Sequence, residues 1–144
     1  MFSKIAVALN DLPESQRALR TAIDFARKFD ASLATVSIPR RSAGIHLIRD
    51  SYRSWCPAAM REDRRRLQSL LHEEMTKLAH EHGVSATSAI VEGRETQAIL
   101  NFLREQKADL LVIGLHQHDF YVSRLWSSVY DVAQDAPCSA LGVH

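Results

Sequence analysis

Cysteine is too scarce in this chain to organise it. Cys56 and Cys138 are the only two in 144 residues, and they lie far apart with no C-x-x-C spacing. Neither a zinc site nor a disulfide framework is indicated, and a reducing compartment suits both thiols. An excess of charge of one sign is also missing. Lys and Arg number 18 against 17 Asp and Glu, and a net charge of +1 gives no global pull toward nucleic acid or membrane. No apolar run approaches the roughly 20 residues that a membrane helix requires. The start, Met1-Phe2-Ser3-Lys4, lacks the apolar stretch and cleavage site of a signal peptide, so a cytoplasmic protein is expected. No repeat, low-complexity tract or linker divides residues 1–144, which predicts one domain with a core that needs no staples. Catalytic signatures are absent as well: there is no G-x-S-x-G, no H-E-x-x-H and no G-x-x-x-x-G-K-[ST]. A protein that is not an enzyme is the expectation.

What is present is an alternation of short apolar runs and amphipathic stretches. Ile5 to Leu9 is continuously apolar, as a strand buried on both faces should be, and Asn10-Asp11-Leu12-Pro13 breaks it. Ala18, Leu19, Ala22, Ile23 and Ala26 then fall on one helical face, with Arg27 and Lys28 in the last turns, where cations suit the helix dipole. Ser32 to Ile38 reads as a second strand stopped by Pro39. Residues 39–60 are irregular, punctuated by Pro39, Gly44 and Pro57, and the stretch from Arg40 to Pro57 is expected to be more mobile than the rest. A long helix is predicted from Arg61 to His82, with Leu67, Leu71, Met75 and Leu78 on its inner face and Gly83 at its C-terminal cap. A third strand (Val84 to Val91), a helix (Thr96 to Gln106) and a fourth strand (Leu110 to Ile113) follow. A last helix opens at Ser128, and Ser139 to Val143 forms a fifth strand. Short connections in this β-α-β alternation favour a parallel sheet.

The C-terminal third carries the functional suggestion. A buried strand ending on Gly114, a polar loop through Arg124, then Ser127-Ser128 opening a helix, is the layout of an anion site lined by backbone N–H groups. Taken in order and spacing, Lys4 to Asn10, Glu92-Gly93 through Ile99, Ala108-Asp109-Leu110 through Gly114, Ser123-Arg124-Leu125 and Ala136-Pro137-Cys138 resemble the universal stress protein family over nearly the whole chain. The resemblance implies a doubly wound, Rossmann-like α/β fold: five parallel strands in the order 3-2-1-4-5, four helices, and usually a dimer. It also implies that some relatives hold ATP or AMP at the carboxyl ends of the strands where the order reverses, while others hold none.

Carried over residue by residue, the nucleotide site would use Asn10, Ile38, Gly114, Gln117, Arg124, Ser127 and Ser128. Three of these depart from the binding pattern. Gln117 and Ser127 stand where binders have glycine, and Asn10 stands where they have Asp. A side chain in a left-handed position costs on the order of 1–2 kcal/mol, and that of Gln117 also takes up room near the phosphates. Weak binding of ATP or AMP, or none, is therefore expected. Gly114 and Ser128 are equally explained as residues that turn and cap the chain.

The remaining polar clusters have plain readings beside sharper ones. His116 and His118 form a His-x-His pair that zinc or copper can use, but an exposed polar loop explains them as well. His80 and His82 suit the end of the long helix. Arg40, Arg41, Arg49, Arg53, Arg61, Arg64, Arg65 and Arg66 would steer a polyanion, yet no aromatic interleaving or nucleic-acid motif accompanies them, so a solvated face is favoured. Trp126, Tyr130 and Trp55 suit core or partner surface equally, and Cys138 suits packing. These observations together point to a cytoplasmic stress-response regulator or interaction protein with a degraded nucleotide site and an unknown protein partner. An ATP- or AMP-binding member with slow hydrolysis, and a metal-responsive sensor through His116 and His118, are the alternatives. A homodimer is expected through Ser139-Ala140-Leu141-Gly142-Val143, an edge strand without the charge or proline that normally guards one.

Overall fold

The first apolar run becomes β1 (Lys4–Leu9), with Ile5, Ala6 and Val7 completely buried. The computed structural model of the chain describes residues 1–9, 13–38, 58–115 and 131–144. After β1 come α1 (Pro13–Phe29), β2 (Ser32–Ser37), α2 (Ala58–Glu81), β3 (Ala86–Ile90), α3 (Glu95–Gln106), β4 (Leu110–Gly114), a helical stretch α4 over 131–135, and β5 (Ser139–Val143). The five strands are all parallel, in the order β3-β2-β1-β4-β5. The expectations for residues 40–57 and for a helix start at Ser128 lie outside the described residues.

Strand alternation divides the core in two. Ile5, Val7, Leu9, Leu33, Leu110 and Val112 point to one face, under α1 and α2. Ala6, Ala34, Val36 and Leu111 point to the other, under α3 and Val132 of α4. The predicted stripe of α1 is fully buried, from Ala18 to Ala26. Its alanines let that helix lie close over β1 and β4, because a small side chain sets a short helix–sheet distance. In α3, Leu100 joins Ile99, Phe102 and Leu103 in the core, and Ala98 is only half-buried.

The inner face of α2 differs from expectation. Leu67 is 66% exposed and Leu70 51%, while His72, Met75 and Ala79 face the sheet with Leu71 and Leu78 beside them. Two successive four-residue steps carry a helical position about 80° past two full turns, so Leu67 has rotated away from the direction of Met75. Gly83 ends the helix as predicted. It takes φ 74°, its N–H donates to the His80 carbonyl at 2.9 Å, and the Val84 N–H donates to the Ala79 carbonyl at 2.9 Å. His82 adds a side-chain donor, its Nδ1 lying 2.8 Å from the Leu78 carbonyl oxygen.

Asp109 closes the amino end of the sheet. Its carboxylate accepts from the Ser3 N–H at 2.7 Å, the Ser3 hydroxyl at 2.8 Å and the Lys4 N–H at 3.1 Å, tying the start of β4 to the start of β1. Partial burial pushes this carboxyl up, but the three hydrogen bonds outweigh it and hold the group below the ordinary carboxylate range.

Candidate functional site

The chain leaves β1 toward β2 on one side and β4 on the other, so the order reverses between β1 and β4. Past the carboxyl ends of such a pair a crevice opens, because the crossovers depart in opposite directions. Leu9 ends β1, Gly114 ends β4, and Ile38 follows β2 directly. The side chain of Ile38 is half-buried and packs on the α3 side of the sheet beside Val36 and Ala89.

Gly114 has a firm physical reason to be glycine. A Cβ there would stand 2.6 Å from both the backbone C and the backbone O of Glu14 and 2.9 Å from the Glu14 Cβ. The first turn of α1 therefore rests against the end of β4, and any side chain would force the two apart. This need is for close approach rather than for a left-handed backbone. It accounts for Gly114 by packing, and the same contact sets the α1 N-terminus against the carboxyl end of β4. There the helix dipole presents its positive end, and Glu14, 7% exposed and 3.9 Å from Arg17, is the acidic residue of that first turn. Glu14 and the buried Ser15 escaped the sequence reading; an acidic residue opening a helix after a strand is the signal that would have marked them.

Ile38 and Gly114 are thus placed at the carboxyl ends of the strands. Asn10, Gln117, Arg124, Ser127 and Ser128 lie outside the described residues, as do His116, His118, Trp55, Trp126 and Tyr130. Among the described residues no group of three or more His, Cys, Asp or Glu is arranged to hold a metal ion. Also among them, no helix is long and apolar enough to cross a membrane. Of the dense arginines, Arg65 and Arg66 are exposed, and Arg65 pairs with Glu92 at the surface. Cys138 is a free, half-buried thiol packed beside the α3 core. Burial, and then the Asp109 carboxylate, push that thiol up and away from the reactive thiolate.

A second polar cluster went unnoticed in the sequence. His72 is buried between α2 and β2, with Nδ1 at 3.2 Å from Thr35 Oγ1 and Nε2 at 2.6 Å from Ser37 Oγ. An open groove of about 740 Å³ runs beside it, between α2 and β3, lined among others by Glu73, Lys77, His80 and Ser88. The sequence signal was the alternation Leu33-Thr35-Ser37, which puts two hydroxyls on one face of a buried strand. Buried hydroxyls ask for a partner, and a polar side chain from the covering helix is one that can reach both of them.

Comparison with known proteins places this geometry. The model of the universal stress protein family matches residues 1–144. Universal stress protein MJ0531 of Methanocaldococcus jannaschii is 27% identical over 151 aligned residues, covering 99% of this chain and 82% of that protein. A universal stress protein solved in complex with cAMP superposes with a TM-score of 0.70 at 22% identity, covering 99% of this chain and 97% of its own. A family protein of Arabidopsis thaliana solved with AMP bound superposes at 0.69 with 18% identity, covering 98% and 90% of the two chains. At those identities the structures establish likeness of fold.

Proposed function

Because the chain belongs to the universal stress protein family along its whole length, we propose that it is a non-enzymatic cytoplasmic regulator or interaction protein whose crevice takes an adenine nucleotide weakly. The observation that carries the ligand half of this reading is the end of β4. There Gly114 meets the first turn of α1 without a side chain, leaving backbone and a helix N-terminus together at the point where the strand order reverses. Proteins of this fold solved with cAMP and with AMP support a nucleotide as the ligand class. The departures at Asn10, Gln117 and Ser127 support weak affinity: one charge is lost, and two side chains stand where the backbone should be bare.

Calorimetric titration with ATP and Mg²⁺ tests it. Gln117→Gly combined with Ser127→Gly should tighten binding by about tenfold for each 1.4 kcal/mol of relieved strain. Asn10→Asp alone should do less, because it adds a charge without opening the phosphate pocket. Tight binding by the wild type, or a double variant no better than wild type, would overturn the reading. Self-association belongs to the same proposal. β5 pairs with β4 through Ser139, Leu141 and Val143, so the N–H and C=O groups of Ala140 and Gly142 point to the open edge. Pairing with β5 of a second copy would satisfy them.

A further inference from the structure

Away from the crevice, His72 occupies an environment built around a neutral imidazole. It is 3% exposed, and Thr35 and Ser37 beneath it are 1% and 2% exposed. We assign the ring proton to Nδ1: with the Thr35 hydroxyl directed to the Thr87 carbonyl oxygen of β3 at 3.4 Å, its lone pairs are left to accept from His72. Nε2 is then the acceptor, and the Ser37 hydroxyl donates to it across 2.6 Å. One chain of hydrogen bonds runs from Ser37 through the ring to Thr35 and on to β3. It stitches α2, β2 and β3 together.

A second ring proton would fall where the Ser37 hydrogen already lies. Ser37 would have to turn its hydroxyl and accept instead, leaving a full charge in a buried site. Among the described residues, none that faces the ring from β2, β3 or α1 carries a charge to compensate it. β2 presents Leu33, Thr35 and Ser37 on this face, β3 presents Ala86, Ser88 and Ile90, and α1 adds Ala22, Ile23 and Ala26 to the shared core. The charged and titratable neighbours are Glu73, Lys77 and His80 of α2 itself, along the open groove. Burial alone holds the imidazole below its ordinary value, with no charged group contributing.

We propose that His72 is a proton-operated clamp: neutral, it fixes the carboxyl end of β2, and through it the adjoining Ile38, to α2; protonated, it releases them. Ser37 is the neighbour of Ile38 in the chain, so the clamp acts at the carboxyl end of β2. The clamp stands without any nucleotide; only its effect on affinity rests on the function proposed above. His72 is a positioning residue in this scheme.

Hydrogen exchange on nucleotide-free protein tests the clamp, at about pH 7.5 and about pH 5.0, after correction for intrinsic exchange rates, alongside an NMR titration of the His72 ring. The ring midpoint should lie below that of an ordinary histidine. Protection over residues 35–38 and 69–76 should fall by about tenfold at the lower pH while Ile5 to Val7 stay protected. His72→Gln should abolish this pH step. An ordinary midpoint, unchanged protection at the lower pH, or an equal step in His72→Gln would overturn the proposal. Should His72→Gln fail to fold, Ser37→Ala takes its place: with one link of the hydrogen-bond chain gone, the pH step in protection over residues 35–38 should shrink, and a step equal to that of the wild type would overturn the clamp.

Discussion

The two ends of the sheet are built differently. At the amino end, side chains close the structure: Asp109 takes three hydrogen bonds from Ser3 and Lys4, His82 bonds back onto α2, and Cys138 packs with burial pushing its thiol up. At the carboxyl end the shape depends on a missing side chain, because Gly114 lets α1 rest on β4. A closed end tolerates loss of a bond by leaving a gap that water can fill. An end set by close approach has no such recourse, since added atoms must displace backbone. The family motif that runs from Ala108 to Gly114 spans both, with its acid at the first end and its glycine at the second.

The sharpest way to break this contrast is Gly114→Ala. A methyl group 2.6 Å from two backbone atoms should cost about 3 kcal/mol, the upper part of the range for overpacking. Chemical denaturation would read it, and a loss under about 1 kcal/mol would mean that α1 can slide on β4. Asp109→Ala should cost less, about 1–2 kcal/mol, because its hydrogen bonds are charge-assisted but partly solvated. Its pH dependence has a definite sign. The folded carboxyl sits below its unfolded value, so the stabilisation is fully present above the unfolded value and is lost as pH falls through the folded one. The stability difference between wild type and Asp109→Ala should therefore shrink in acid, as thermal melts across that range would record.

The smallest change in stability is expected at β5, whose outer edge links the two ends. Ala140→Pro removes an N–H that points away from β4 and leaves the β4–β5 ladder intact. Its effect on folding should stay within about 0.5 kcal/mol, yet light scattering should show a dimer converted to monomer. A wild type that is already monomeric at micromolar concentration would end the edge-pairing proposal.

Much of the fold was legible in the order of residues. Ile5 to Leu9 announced a strand covered on both faces, the stripe from Ala18 to Ala26 announced α1, and Gly83 announced the end of α2. These signals are local, set by the periods of strand and helix and by the φ that glycine alone takes freely. Alternation of strands and helices with short connections left few arrangements other than a parallel sheet, and family resemblance supplied the strand order. Leu67 marks where local reading fails. It satisfies the spacing of an amphipathic helix, yet what a helix buries depends on where the sheet ends and how the helix turns above it.

The place of the candidate site was legible from two sources: Gly114 ends a strand, which is a local feature, and the family resemblance pointed to Ile38, which directly follows β2. The sequence by itself determined the elements, their alternation, and the identities of Asn10, Gln117 and Ser127 on which the proposed weak affinity rests. Only the tertiary structure decided that Gly114 is needed by Glu14, that Asp109 holds Ser3 across 106 positions, and that His72 meets Ser37 across 35. Hydrogen bonds and close contacts act over a few ångströms whatever the separation along the chain. Periodicity fixes which way a residue faces, and folding alone fixes what it meets.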